Sequence, residues 1–178
     1  MGAAIAWRVS RRYPRVALIE QYDQHHELGS SHGNSRIFRL TYRSTDYVHL
    51  ARQARKGWLE ASEEIGHELL KSTGAVDIGP SSQLDELASV LSQAGADYQR
   101  LDEPNDRFAL FRLPNGWQLL FQPDGGVLWA RRSLNAFCTL AAANGAEVAT
   151  NSRVISLARD GDSIHLETDR GTYLALTH

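Results

Sequence analysis

The sequence predicts an α/β fold with a sheet left open at both ends. Three observations carry this. A helical pattern near the start leads into a short apolar run, RVALIE (15–20), that closes on an acid. Helical and strand patterns then alternate as far as residue 143, and the chain finishes on four short strand-like segments. A continuous apolar run that ends on a charge suits a strand of a buried parallel sheet, and such sheets alternate with helices.

The elements follow in order. Residues 2–12 carry Ala4, Ile5 and Val9 at helical spacing, and Pro14 stops the helix. After RVALIE comes a polar loop that contains GSSHGNSRIFRLTY (29–42). Residues 47–70 place Val48, Ala51, Trp58, Ser62, Ile65 and Leu69 on one face of a long amphipathic helix. GAVDIG (74–79) reads as a strand, and Leu84, Leu87, Ala88 and Leu91 mark a helix ending near Gly95. The aromatic stretch 107–121 is strand-like, with Asn115-Gly116 as a hairpin turn. Ser133 to Ala143 forms a helix stopped by Asn144-Gly145. AEVAT, RVISLAR, SIHLET and TYLAL close the chain, with turns at Asp160-Gly161 and Arg170-Gly171. A helix at residue 2 without a preceding strand, and a last strand running to His178, lead to the expectation of a partial sequence.

Composition narrows the function classes. The 178 residues are 42% hydrophobic and 22% charged, an ordinary globular balance. Nineteen Lys and Arg against 21 Asp and Glu give a net charge of −2, so no basic field argues for nucleic acid. No apolar run approaches the roughly 18 residues a membrane span needs. With one cysteine, Cys138, a disulfide framework is impossible, and a reducing, cytoplasmic setting is expected. Cys138 lies in an apolar helical pattern with Leu134, Phe137, Leu140 and Ala141, as a small core residue does.

Two sequence features carry chemistry. Gly2 opens a helix and Glu20 ends the next strand, 18 residues on. In a dinucleotide-binding unit the last glycine of G-x-G-x-x-G allows close helix–strand packing, and the strand-end acid binds a ribose. The second feature is Arg36 and Arg39, three apart behind a glycine- and serine-rich loop. One helical turn would put both on one face, whereas an extended strand would oppose them. His32 in its Gly-flanked loop reads as a hydrogen-bonding residue rather than a base. His25-His26 lacks partners at metal spacing and reads as loop surface, so no metal site is expected. Asp124-Gly125-Gly126 is a structural turn, and Trp58, Trp117 and Trp129 are core or domain-interface aromatics.

GSSHGNSRIFRLTY resembles the loop after the second strand of the monomeric sarcosine oxidase family, which includes N-methyltryptophan and pipecolate oxidases. These FAD-dependent, D-amino acid oxidase-like enzymes carry G-S-x-H-G-x-[ST]-R-x-x-R at that place. GAAIAWRVSRRYPRVALIEQYD, STGAVDIGP and FQPDGGVLWARRSLNAFCTLAAANGAEVATNSRV resemble further family segments in the same order. The resemblance covers nearly the whole chain but only about the N-terminal half of a family member. It implies an incomplete FAD-binding Rossmann-like domain (1–71 and 123–178) with part of a mixed-sheet substrate domain (72–122).

The resemblance also implies roles. Gly2 closes the pyrophosphate loop and Glu20 binds the adenosine ribose. Ser30, Ser31 and His32 wrap the flavin's phosphate and ring region, and the backbone at Val154 meets the adenine. Arg36 stands beside the flavin ring, where a cation offsets the negative charge of the reduced form. Arg39 pairs with the substrate carboxylate through its guanidinium fork. Ser31 stands where family members often have a second histidine. The implied activity is oxidation of the C–N bond of a secondary amino acid, with oxygen as acceptor and hydrogen peroxide as product. The enzyme would be a monomer when complete, without membrane or nucleic-acid partners, and peroxisomal rather than cytoplasmic in some eukaryotes. The family's flavin-bearing cysteine and its lysines belong to the other half, and Cys138 does not match that cysteine. The 178-residue chain is therefore expected to be inactive alone. A dehydrogenase that passes electrons to a partner, a glycine oxidase-like relative and a non-catalytic nucleotide-binding remnant are the alternatives.

Overall fold

A computed structural model describes residues 1–176. Helix α1 spans Gly2–Ser10 and β1 spans Ala17–Ile19. Next come β2 (Ser35–Phe38), the long helix α2 (Thr45–Ile65) and the two-residue β3 (Leu70–Lys71). β4 (Ala75–Pro80) leads into α3 (Ser81–Gln93) and β5 (Gln99–Leu101). A single 3-10 turn at Asp106–Phe108 precedes β6 (Trp117–Gln122) and β7 (Gly126–Trp129). Helix α4 (Ala130–Ala143) and β8 (Glu147–Ala149) follow. The described chain closes on β9 (Val154–Asp160), β10 (Ser163–Thr168) and β11 (Gly171–Leu176). The expected α/β class holds, with one parallel and three antiparallel sheets among the described residues. No helix among the described residues is long and apolar enough to cross a membrane.

The chain divides into two compact units, residues 1–34 with 130–178, and residues 35–129. These seams differ from the expected boundaries at 71/72 and 122/123. The physical reason is strand pairing: β7 sits between β2 and β3, tying residues 35–71 to the segment that ends at Trp129.

In the first unit, β1 and β8 pair in parallel, in register from Ala17↔Glu147 to Ile19↔Ala149. Helices α1 and α4 pack against each other through small buried residues, Ala3, Ala6 and Ser10 on one and Ser133, Ala136 and Ala141 on the other. Trp7 fills the remaining space, its ring 5.3 Å from that of Phe137. The prediction of a buried strand at 15–20 is corrected in part. β1 is parallel, yet Ala17 is exposed and Leu18 and Ile19 are only half-buried, since β8 is its one partner among the described residues. β9, β10 and β11 form an antiparallel meander with turns where the Asp-Gly and Arg-Gly pairs stand.

The second unit has a larger apolar core. Phe38, Leu40, Val48, Leu70, Leu84, Leu91 and Leu120 are all buried in one cluster. Two sequence expectations are corrected here. The long helix stops at Ile65, not 70, because Gly66 adopts left-handed φ (76°), a helix-ending conformation that glycine takes without steric cost. Leu69 is still buried, its amide held by the Ser62 hydroxyl at 3.0 Å. Residues 107–116 are not a strand, and Asn115-Gly116 does not close a hairpin. The turn there exists, with the Trp117 amide donating to the Pro114 carbonyl, but β6 pairs with β4 and β5. A strand needs a neighbour, and here two more distant segments supply it.

Candidate functional site

The first unit contains a cavity of about 340 Å³. Its walls come from both ends of the chain, residues 1–33 and residues 131–150. The N-terminal end of α1 supplies Met1, Gly2 and Ala3, and the end of β1 supplies Ile19 and Glu20. The loop 24–33 adds His25, His26, Gly29, Ser30, Ser31 and His32, while Arg131, Leu134 and Cys138 enter from α4. The volume is at the low end of the roughly 300–1,000 Å³ of ligand pockets. It has room for part of a dinucleotide rather than the whole.

The helix end is built for an anion. Helix α1 has no acid in its first turn, so its free N–H groups and positive dipole end are not offset there. A Cβ placed on Gly2 would stand 3.3 Å from Leu18 Cδ1, tighter than ordinary contact. The Leu18 side chain would have to give way by a few tenths of an ångström to admit a larger residue at this helix end.

Glu20 is held from two sides. Its Oε1 accepts from the Tyr22 amide at 3.0 Å, and its Oε2 lies 3.7 Å from His26 Nε2. The backbone around it is fixed as well. The Glu20 amide donates to the Ala149 carbonyl and the Ser152 amide donates to the Glu20 carbonyl, both at 2.9 Å. The loop beyond is folded on itself, with His32 Nδ1 2.6 Å from the Gly29 carbonyl oxygen. Such a wall can hold a phosphate at the helix end and a sugar diol at the carboxylate.

The sequence-predicted residues fall into three groups. Gly2, Glu20, Ser30, Ser31 and His32 share this cavity wall. Val154, 44% exposed at the start of β9, does not line it, although its neighbour Ser152 is bonded to Glu20. Arg36 and Arg39 belong to the second unit. Arg36 lies in strand β2, so the extended alternative applies and positions 36 and 39 have opposite parity. Burial alternates accordingly, with Phe38 and Leu40 buried and Ile37 exposed. Arg36 Nη1 donates to the Ser35 carbonyl at 2.7 Å. Arg39 Nη1 lies 3.8 Å from Asp77 Oδ1, and its guanidinium carbon is 5.7 Å from the centre of the Tyr42 ring. That ion pair is longer than a hydrogen bond and half-exposed on the arginine side, so an incoming carboxylate competes for the guanidinium at little cost.

Sequence reading missed several wall residues. His26 was expected on a loop surface, but its side chain is 23% exposed and lines the cavity. No spacing rule marks such a residue, because its partner Glu20 is met through the loop's path rather than through helix or strand period. Cys138 is buried as expected, and burial raises its thiol pKa above the ordinary value. That it also faces the cavity was not legible in its helical pattern. Trp117, expected as a core or domain-interface aromatic, is 39% exposed and so is not a core residue of this chain. No group of His, Cys, Asp and Glu among the described residues could hold a metal ion.

Comparison with known proteins places this geometry. The family model described as FAD dependent oxidoreductase matches residues 1–176. Monomeric sarcosine oxidase of Bacillus sp. (strain B-0618) is 31% identical over 98% of this chain and 46% of its own length. N-methyl-L-tryptophan oxidase of Salmonella dublin is 28% identical over 98% of this chain and 48% of its own. Among solved structures, the open form of NikD, an unusual amino acid oxidase essential for nikkomycin biosynthesis, superposes with a TM-score of 0.80. It is 28% identical, across 97% of this chain and 46% of that one. The chain thus spans about half the length of the curated relatives it matches. With its α1–β1 unit, strand-end carboxylate and matching order of elements, this chain belongs to the FAD-dependent oxidoreductase family that includes the sarcosine oxidases.

Proposed function

We propose that this chain supplies the adenosine-binding wall and part of the substrate face of an enzyme that oxidises the C–N bond of a secondary amino acid. The observation that carries the reading is the shared cavity wall of Gly2, Glu20, Ser30, Ser31 and His32. Those residues suit the adenosine-diphosphate end of FAD: backbone N–H groups at a helix start for phosphate, and an oriented carboxylate for ribose. FAD, when bound, supplies the two-electron acceptor. The substrate loses two electrons and two protons to become an imine, which water hydrolyses. Dioxygen takes up two electrons and two protons and leaves as hydrogen peroxide.

In this reading Arg39 holds the substrate carboxylate, exchanging its long pairing with Asp77 for a closer one. Arg36 contributes a fixed positive charge near the reacting centre. The backbone at Val154 borders the adenine. Residues 72–122 serve the substrate, and the flanking segments serve the cofactor. The complete enzyme acts as a cytoplasmic, or in some eukaryotes peroxisomal, monomer on a free amino acid.

The test is direct. Purified chain is mixed with FAD and N-methyl amino acids, and peroxide and FAD retention are both measured. The expected result is retention of FAD without amine-dependent peroxide, because this chain supplies only part of the site. Amine-dependent peroxide from the chain alone would overturn the inactivity, and no retention of FAD would overturn the cofactor assignment.

A further inference from the structure

His26 has no role in the chemistry described so far, yet it lines the cavity beside Glu20 and meets both the strand end and the loop. Its Nδ1 accepts a hydrogen bond from the Leu28 amide at 3.1 Å. A nitrogen that accepts carries a lone pair, so the neutral ring holds its proton on Nε2. Nε2 is the atom that faces Glu20 Oε2 at 3.7 Å, within electrostatic reach though longer than a hydrogen bond. The ring also packs on Tyr22, with centroids 5.0 Å apart. A Cβ on Gly29 would stand 3.3 Å from His26 Cε1, so a residue without a side chain makes room for the ring.

We propose that His26 is a positioning residue for the cofactor's ribose. It acts through Glu20. The Tyr22 amide fixes one carboxylate oxygen, and the His26 N–H attracts the other. Together they set the rotation of the carboxylate about its last bond, with the remaining acceptor directions left for a sugar hydroxyl. Through its other nitrogen the same ring holds the turn at residues 26–28, which leads directly into the Gly29–Gly33 segment of the wall. One imidazole therefore links the strand-end acid to the loop. Outside the pairings described, Glu27 adjoins His26 in the chain, and three residues before His26 the Asp23 Oδ1 accepts from the His25 amide at 2.7 Å.

This inference rests on the proposed function, and the experiment separates the two. ADP and 2′-deoxy-ADP are titrated calorimetrically into the native chain and four variants. The native chain is expected to prefer ADP, and Glu20→Ala to abolish the preference. His26→Ala is expected to cut it by roughly five- to tenfold, the size of an ordinary polar contribution of about 1 kcal/mol. His26→Gln, which can place an N–H near the Nε2 position, should keep most of the preference. His26→Asn, which can offer an acceptor only at the Nδ1 position, should hold the turn yet lose the preference. Equal weakening of both ligands by all three His26 variants would show a merely structural histidine and overturn the inference, as would no change in any of them. Should His26→Ala fail to fold, the Gln and Asn variants still decide the question. A preference that survives Glu20→Ala overturns the ribose assignment itself, and the absence of saturable ADP binding overturns the cofactor assignment.

Discussion

The two compact units solve different problems. Residues 35–129 form one continuous stretch of chain around a core of leucines, with Leu40, Leu84, Leu91 and Leu120 buried. Residues 1–34 and 130–176 are joined from the two ends of the chain, and their helices pack through alanine and serine with one tryptophan as filler. Small residues let backbones approach closely, which suits a unit whose purpose is to bring a helix end and a strand end to one cavity. Leucines fill volume, which suits a unit built around one continuous core. The comparison teaches that here the unit containing the cavity is the one with the sparser core.

The largest expected effect tests that sparse core. Trp7 is 2% exposed and packed against Phe137, so Trp7→Ala should cost about 3–5 kcal/mol. Hydrogen exchange should show α1 and α4 losing protection. Retained protection in both helices would mean the alanine and serine contacts suffice without the filler.

The next effect belongs to the leucine-rich unit. A Cβ on Gly126 would stand 2.1 Å from the Lys71 carbonyl oxygen, a clash with backbone that no rotamer relieves. Gly126→Ala should therefore destabilise by about 3 kcal/mol, measured by urea unfolding, by forcing β3 and β7 apart. A stability within 1 kcal/mol of native, roughly the scatter of surface substitutions, would show that this sheet opens freely.

Gln122 predicts a change of opposite sign. It is fully buried, and neither amide atom has a hydrogen-bond partner among the described residues. Gln122→Met keeps the length and removes the unpaired polar atoms, so it should stabilise by about 1–2 kcal/mol. A loss of stability would reveal a partner for this amide in the working protein.

The smallest effect is a pH dependence in the unit containing the cavity. Burial raises the Cys138 thiol above its ordinary value of 9.0. The unfolded chain therefore ionises first on raising the pH. The contribution of this site to stability is complete below about pH 9 and is lost as the pH climbs through the folded value. Cys138→Ala should flatten the alkaline limb of the stability curve. In the native chain, alkylation at pH 8 should be slower than for a free thiol and recover in urea.

Legibility in the sequence followed the range of the interaction. The helices over 2–10, 81–93 and 130–143 were readable because their buried residues recur at helical spacing. The meander at the end was readable from its turn glycines, Gly161 and Gly171, both at positive φ. The end of the long helix was misread because Leu69 kept the apolar rhythm while Gly66 had already turned the backbone. The stretch 107–116 was misread because aromatic residues look strand-like whether or not a neighbour pairs with them.

The functional residues divide in the same way. By itself the sequence determined the family and most of the order of elements, and through the family resemblance it singled out Gly2, Glu20, Ser30, Ser31, His32, Arg36 and Arg39 as candidates, since a motif is a local property. Only the tertiary structure decided that the first five share one wall, that Arg36 stands in a strand, and that His26 and Cys138 face the same cavity. The reason is physical. Periodicity records which face of an element is buried, but what that face meets depends on chain segments more than 100 residues apart, such as β1 and β8.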